Sequence, residues 1–261
     1  MKTTYYQVNA FTGEGFKGNP AGVCLMGTWP DDEIMQYIAF ENQLSETAFV
    51  IKEKDGYKIR WFTPSTEVDL SGHATLAAAS VIMQYADEAM DQVQFNSKSG
   101  ILSVRKNGTE YIMNFPADEI TEIKLDKINI KAFPAKPVTA YRGKSDYLIV
   151  FENEKEIREM TPDFKILSEM KEVRGICITA PGDTVDFVSR FFAPQSGILE
   201  DPVTGSAHTT LTPYWSNRLN KTKMNALQLS KRGGKLTCFL INDRVEIKGA
   251  TELYIEGYLY Y

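Results

Sequence analysis

The stretch RWFTPSTEVDLSGHATLAAASVIM, residues 60–83, joins a strand signal, a polar loop and a helix that lacks a polar face. Its second half, residues 74–83, is small or apolar on every side, and a helix that is apolar all round is a buried helix. A helix of about 12 residues is about 18 Å long, which is too short to cross a bilayer. We therefore predict a central helix that is wrapped by the surrounding strands.

A second copy of this pattern lies half a chain length further on. Residues 60–64 (RWFTP) and 190–194 (RFFAP) share the order Arg, aromatic, Phe, small residue, Pro. Each copy is followed by an acidic loop and then by a glycine, Gly72 or Gly205, that opens a run of small residues. Repeated patterns indicate repeated structural units, so the sequence predicts two similar domains. In the second one, Pro213 is expected to kink or break the helix.

Strand and hairpin signals fill both halves and predict an α+β fold, in each half a β-barrel-like sheet curled around a central helix. A turn at residues 54–56 separates two strand-like runs and makes a hairpin, with Glu46 at its mouth. A Gly-rich loop is expected at residues 13–22. The stretch 116–136 is richer in charge and proline, which places the predicted domains at residues 1–118 and 119–261.

Composition excludes several classes of partner and cofactor. The 29 basic and 34 acidic residues give a net charge of −5 without a basic cluster, so no nucleic acid is expected. The three cysteines are widely spaced and show no CxxC pair, which favours a reduced, cytoplasmic protein without a disulfide framework. No apolar run reaches membrane-spanning length, so no membrane partner is expected. No nucleotide-binding motif and no metal-ligand spacing occur, and no metal is predicted.

Groups that can transfer protons cluster at the two glycine turns and at one strand start. They are Glu46, Asp69, Ser71, His73, Glu200, Asp201, Ser206 and His208. A glycine before a helix lets backbone N–H groups approach a ligand, and the helix N-terminus favours an anion. Two such turns that face each other are expected to hold a carboxylate, and the acids and histidines beside them can move a proton.

Five motifs resemble those of the phenazine-biosynthesis PhzF-like family, and they are spread over nearly the whole chain. They are Asn9-Ala10-Phe11, Gly18-Asn19-Pro20-Ala21-Gly22-Val23, Leu44-Ser45-Glu46-Thr47-Ala48, Arg60 to Pro64 with Ser71 to Thr75, and Glu200-Asp201-Pro202-Val203-Thr204-Gly205-Ser206-Ala207-His208. The resemblance implies the diaminopimelate epimerase-like fold, with two similar domains, an active site in the cleft between them and, commonly, a homodimer.

The resemblance also implies a cofactor-independent isomerase that moves a proton on a small carboxylate substrate. Glu46 falls at the position of the family's acid/base, and His73 and Asp201 fall on further catalytic positions. The residues expected to bind the substrate are Asn19, Ser71, Gly72, Gly205 and Ser206. A carboxylate whose pKa is raised by burial can remove a proton from carbon and return it elsewhere, so one acid is enough for this chemistry.

Two alternatives stay open from the sequence. An amino-acid epimerase or racemase needs two opposed bases, for which Glu46 and Asp201 are the candidates. Related enzymes use two cysteines, but Ser71 and Asp201 stand roughly at those places, so a two-thiol mechanism is not expected. A binding protein that keeps the fold without turnover is the other alternative, and the intact set of polar residues argues against it.

Overall fold

The computed structural model describes residues 1–261, which form two compact units. The first unit comprises residues 1–114 together with 248–261, and the second comprises residues 115–247. The C-terminal residues join the first unit because the last strand, Arg244–Tyr260, pairs through residues 251–260 with the first strand, Lys2–Ala10. The sequence-based division at residue 118 does not anticipate this return of the chain.

The first unit is a sheet wrapped around one helix. Its elements are β1 (Lys2–Ala10), β2 (Asn19–Met26), α1 (Asp32–Asn42), β3 (Glu46–Glu53), β4 (Gly56–Phe62), β5 (Glu67–Val68), α2 (Gly72–Val81), β6 (Gln92–Ser97), β7 (Gly100–Asn107) and β8 (Glu110–Pro116). All ten residues of α2 are buried, and the helix contacts β1, β2, β3 and β7. The prediction of a central helix without a polar face is confirmed.

The second unit repeats this plan. Its elements are β9 (Thr121–Ile123), β10 (Thr139–Arg142), β11 (Asp146–Val150), α3 (Glu154–Arg158), α4 (Phe164–Ser168), β12 (Gly175–Pro181), β13 (Phe187–Ala193), β14 (Ile198–Asp201), α5 (His208–Leu219), β15 (Lys223–Gln228) and β16 (Gly234–Ile241). The last strand, β17 (Arg244–Tyr260), begins in the second unit and continues into the first. Short 3-10 turns precede β10 and follow β13, and a π-helical turn follows α2.

The strand pairings show the duplication directly. In the first unit β1–β2 is antiparallel, β2–β3 parallel, β3–β4 antiparallel, β4–β6 parallel and β6–β7 antiparallel. In the second unit β10–β11, β11–β12, β12–β13, β13–β15 and β15–β16 follow the same alternation. In the first unit β17 also pairs with β1 and β8, which closes eight strands into a barrel. The predicted α+β class and the two similar units are confirmed.

The repeated Arg-aromatic-Phe motif has the same structural role in both units. Arg60 Nε lies 2.7 Å from a carboxylate oxygen of Glu67, and Arg190 Nε lies 2.7 Å from one of Glu200. Each guanidinium also lies 5.1 Å from the ring centre of the Phe two residues later in the same strand. Each arginine therefore links its strand to the acidic loop that precedes the glycine turn.

Two loop and helix predictions were wrong. The expected loop at residues 13–22 becomes strand β2 from Asn19 onwards; Pro20 is tolerated because the ladder to β3 begins only at Ala21. The expected break at Pro213 does not occur, because helix α5 continues through this residue, and a kink there stays a prediction. A proline cannot pair with the carbonyl four residues earlier, here that of Thr209, but that carbonyl accepts the N–H of Asp118 at 3.1 Å.

No helix of the structure combines the length and the apolar character that crossing a membrane requires.

Candidate active site

In the first unit, the catalytic candidates Glu46 and His73 are brought together by two element ends. Glu46 is the first residue of β3, and its side chain is 14% exposed. His73 is the second residue of α2 and is buried. Oε2 of Glu46 lies 3.1 Å from Nε2 of His73. A carboxylate and an imidazole at this distance can share a proton.

The other ring nitrogen of His73, Nδ1, contacts the side-chain amide of Asn19. Nδ2 of Asn19, the first residue of β2, lies 3.2 Å from Nδ1 of His73, and Oγ of Ser71 lies 3.5 Å from the same nitrogen. Oδ1 of Asn19 accepts the hydroxyl of Ser45 at 3.2 Å. Asn19 is completely buried, so it lies behind His73 and not at an open surface.

These contacts assign the tautomer of His73. An amide NH₂ group can only donate, so Nδ1 of His73 is the acceptor and the ring proton of the neutral imidazole is on Nε2. Nε2 lies 3.1 Å from Oε2 of Glu46, but the two atoms are not aligned as a hydrogen bond. A nearby carboxylate favours the charged imidazolium, whereas burial disfavours it. Burial dominates and lowers the pKa of His73 to about 3. The first unit therefore holds a neutral histidine beside a carboxylate.

In the second unit, Asp201 is fixed by a network of buried side chains. Asp201 ends β14, and its Oδ2 accepts the hydroxyl of Thr204 at 2.6 Å. Gln228 is 1% exposed; its Oε1 accepts the N–H of Thr204, and its Nε2 donates to the carbonyl of Asp201 and to Oγ1 of Thr204. His208 Nδ1 lies 2.9 Å from the carbonyl of Thr204. One amide side chain thus orders the turn that carries the carboxylate.

The turn that follows presents Ser206 beside an arginine. Nη2 of Arg174 donates to Oγ of Ser206 at 3.0 Å, and Nε of Arg174 donates to Asp146 at 3.0 Å. Gly205 and Ser206 precede α5 in a turn in which the N–H of His208 bonds to the carbonyl of Gly205 at 3.0 Å. The serine hydroxyl that accepts from Arg174 keeps its own proton for donation to another acceptor.

The predicted residues are thus found in two groups, one per unit. Asn19, Glu46, Ser71 and His73 lie together in the first unit, with Gly72 between the last two, and Asp201, Gly205 and Ser206 lie on one turn in the second. His208 is a structural histidine: it is buried and bonds within its own turn, and burial lowers its pKa to about 4.

Sequence reasoning missed the residues that hold these groups in place. Ser45 and Thr204 stand inside the motifs, and their hydroxyls were a usable signal. Gln228 and Arg174 are distant in sequence and carried none. No group of three or more His, Cys, Asp or Glu is arranged to hold a metal ion. The three cysteines are free and buried, and burial raises the pKa of Cys238 to about 12 and those of Cys24 and Cys177 further.

Comparison with known proteins identifies the class. The family model described as phenazine biosynthesis-like protein (PhzC-PhzF) matches residues 8–257. The chain belongs to this family. It is 45% identical to an uncharacterized isomerase of Pseudomonas aeruginosa over the full length of both, and 35% identical to the human phenazine biosynthesis-like domain-containing protein over 99% of both.

Solved structures agree with this assignment. A PhzF-family phenazine biosynthesis protein of Enterococcus faecalis superposes with a TM-score of 0.95 at 45% identity, over 100% of both chains. A hydroxyproline epimerase of Agrobacterium vitis, solved with trans-4-hydroxy-L-proline, superposes with a TM-score of 0.65 at 9% identity, over 99% of this chain and 92% of the other. The second similarity concerns the fold alone and confirms the expected epimerase-like architecture.

Proposed function

We propose that this protein is a cofactor-independent isomerase that moves a proton on a small carboxylate substrate, with Glu46 as the acid/base. The observation that carries the proposal is the chain of contacts from Ser45 through Asn19 and His73 to Glu46. This chain places a neutral imidazole, which Asn19 contacts on its other side, next to one carboxylate oxygen. The curated relatives named isomerase are consistent with the reaction class.

In the proposed reaction, the Glu46 carboxylate takes a proton from a carbon next to the substrate carboxylate or conjugated with it. The electron pair of the broken C–H bond delocalises towards the substrate carboxylate. The proton on Glu46 exchanges with solvent, and Glu46 then protonates a different carbon. The double bond migrates, and no oxidant or second reactant is needed. Neutral His73 stays beside the Glu46 carboxylate without adding a charge.

We propose that the turn of the second unit holds a carboxylate, and that Gly72 and the N-terminus of α2 are suited to the same role in the first unit. Backbone N–H groups of Gly205 and Ser206 and the Ser206 hydroxyl are suited to hold a carboxylate and to stabilise enolate-like charge. Asp201 is a second proton-transfer group. The hydroxyl of Thr204 holds the Asp201 carboxylate in place. This contact favours a second candidate function, an epimerase in which Glu46 and Asp201 act as opposed bases.

Proton exchange with solvent tests the proposal before the product is known. The protein is incubated in D₂O with a panel of amino acids, hydroxy acids and cyclohexadiene carboxylates, and deuterium incorporation is followed by NMR. We expect label next to the carboxylate with the wild type and none with Glu46→Gln. Glu53→Gln, an exposed residue at the other end of β3, is the matched control and should retain activity.

Each outcome has a distinct meaning. Label with migration of a double bond supports the isomerase, and label with inversion at one carbon supports the epimerase. Full exchange activity in Glu46→Gln contradicts the assignment of Glu46. Binding of a panel member without any exchange favours the binding-protein alternative.

We also propose a homodimer in the cytoplasm. Three reduced, buried cysteines suit a reducing compartment, and β17 exposes the side chains of Tyr254, Tyr258 and Tyr260. Light scattering coupled to gel filtration measures the oligomeric state, and a monomer at micromolar concentration would contradict the dimer.

A further inference from the structure

One cavity of the second unit is lined mainly by charged and polar side chains, and most of the charged ones are basic. It has a volume of about 710 Å³ and lies among the turn after β10, the loop before β12 and the 3-10 turn after β13. Its charged lining residues are Arg142, Lys144, Lys171, Glu172 and Arg174. Four cations and one carboxylate thus gather in a protein whose net charge is −5. Such a concentration of positive potential attracts anions.

The two guanidinium groups are held in place by the fold. Nη2 of Arg142 donates to the carbonyl of Glu172 at 2.7 Å, and the guanidinium carbon lies 5.2 Å from the ring centre of Tyr147. Arg174 pairs through two nitrogens with the carboxylate of Asp146 and lies 5.3 Å from the ring centre of Phe191. Preorganised arginines lose little conformational entropy when an oxyanion binds.

The cavity also contains polar groups without protein partners. Lys144 and Lys171 are exposed, and neither ammonium group has a carboxylate within ion-pair distance. The carboxylate of Glu172 is occupied, since it accepts the hydroxyl of Tyr147 at 2.8 Å. The two ammonium groups are therefore available to an anion.

We propose that this cavity binds a small organic oxyanion. The cations supply donors and charge for the oxyanion, and a phosphate ester and a carboxylate both offer this chemistry. No proton-transfer residue lines the cavity, although Arg174 also donates to Ser206 of the neighbouring turn. Occupancy of the cavity is a property of the protein beyond the proposed isomerase reaction.

Titrations followed by ¹H–¹⁵N NMR test the proposal with four probes: glycerol 3-phosphate, glycerate, inorganic phosphate and glycerol. We expect saturable shifts for residues 142–145 and 171–174 with the three anions and none with glycerol. The stronger of glycerol 3-phosphate and glycerate identifies the anionic group. Added salt should weaken binding, because exposed charges are screened.

Two double variants distinguish anion binding in this cavity from a general effect of net charge. Lys144→Ala combined with Lys171→Ala should weaken anion binding by about tenfold, the scale of two lost partly exposed charge contacts. Lys131→Ala combined with Lys136→Ala changes the net charge equally, and both lysines are exposed outside the cavity, so binding should be unchanged. Absence of saturable shifts in the wild type, or equal weakening in both double variants, overturns the proposal. Neither result affects the exchange assay of Glu46.

Discussion

The two histidines make the stability of this protein depend on pH between about 7.5 and 5. His73 and His208 are the only histidines, one in each unit, and both are buried. Burial lowers the pKa of His73 to about 3 and that of His208 to about 4, the carbonyl of Thr204 opposing the shift in the second case. In the unfolded chain both titrate near 6.5. Between the folded and unfolded pKa values, the unfolded state therefore binds two more protons than the folded state.

The sign and the size follow from this difference. Below the unfolded pKa, each histidine lowers the free energy of unfolding by about 1.4 kcal/mol per pH unit, until the folded pKa is reached. Between about pH 7.5 and 5 the loss is about 2 kcal/mol for each histidine and about 4 kcal/mol for both. Carboxylates whose folded pKa is lowered, such as Asp186 and Glu154, act mainly at lower pH, near their unfolded values of about 4.

Urea unfolding at about pH 7.5, 6 and 5 measures the effect. His208→Gln and His73→Gln should each remove about half of the pH dependence, whatever their effect on stability at the higher pH. A direct check is the titration of the imidazole ¹⁵N shifts, in which neither ring should become protonated above about pH 5. A stability that is flat or rises towards pH 5 would refute the reasoning.

The result bears on the site as well as on stability. If His73 were an imidazolium paired with Glu46, its pKa would be raised, and acidification would stabilise the fold down to the unfolded pKa. The predicted loss of stability therefore distinguishes a neutral imidazole from an ion pair. The ring shifts also report the tautomer, which the contact with Asn19 sets as protonated on Nε2.

Two positioning residues give further predictions. Asn19→Leu leaves Nδ1 of His73 without its donor, and we expect about tenfold slower exchange in D₂O and a loss of about 1–3 kcal/mol on urea unfolding; an unchanged His73 ring spectrum would contradict it. Gln228→Leu removes three hydrogen bonds around Asp201 and should cost about 2–3 kcal/mol and slow exchange. Normal exchange in this variant would show that the order of the turn is not needed.

Much of the fold could be predicted because its signals are local or repeated. The helix at residues 72–81 lacks a polar face, and the hairpin around residues 54–56 has turn chemistry between two strand-like runs. The repeat at residues 60–64 and 190–194 reports the duplication without any structure. Strand β2 was misread because its Gly and Pro residues are typical of loops; its pairing on both sides with β1 and β3 overrides that local preference.

For the candidate site, the reactive groups could be predicted from the sequence, but their partners could not. The motifs around Glu46, His73 and Asp201 identify the reactive groups, because carboxylates and imidazoles beside glycine turns are visible in one dimension. The partners of these groups are not visible, since Gln228 and Arg174 reach their turns only through strand order and loop packing. Thr209 is similar: its carbonyl meets Asp118 from far along the chain, and this contact lets α5 continue past Pro213.

The kinds of element, their duplication and the types of chemical group at the two turns can be inferred from the amino-acid sequence alone. These depend on side-chain pattern and backbone preference, which act over a few residues. The neutral state of His73 and the return of residues 248–261 to the first unit became visible only in the folded structure. Both depend on burial and on hydrogen bonds between residues that are distant in the chain, and no local pattern encodes which distant group will supply them.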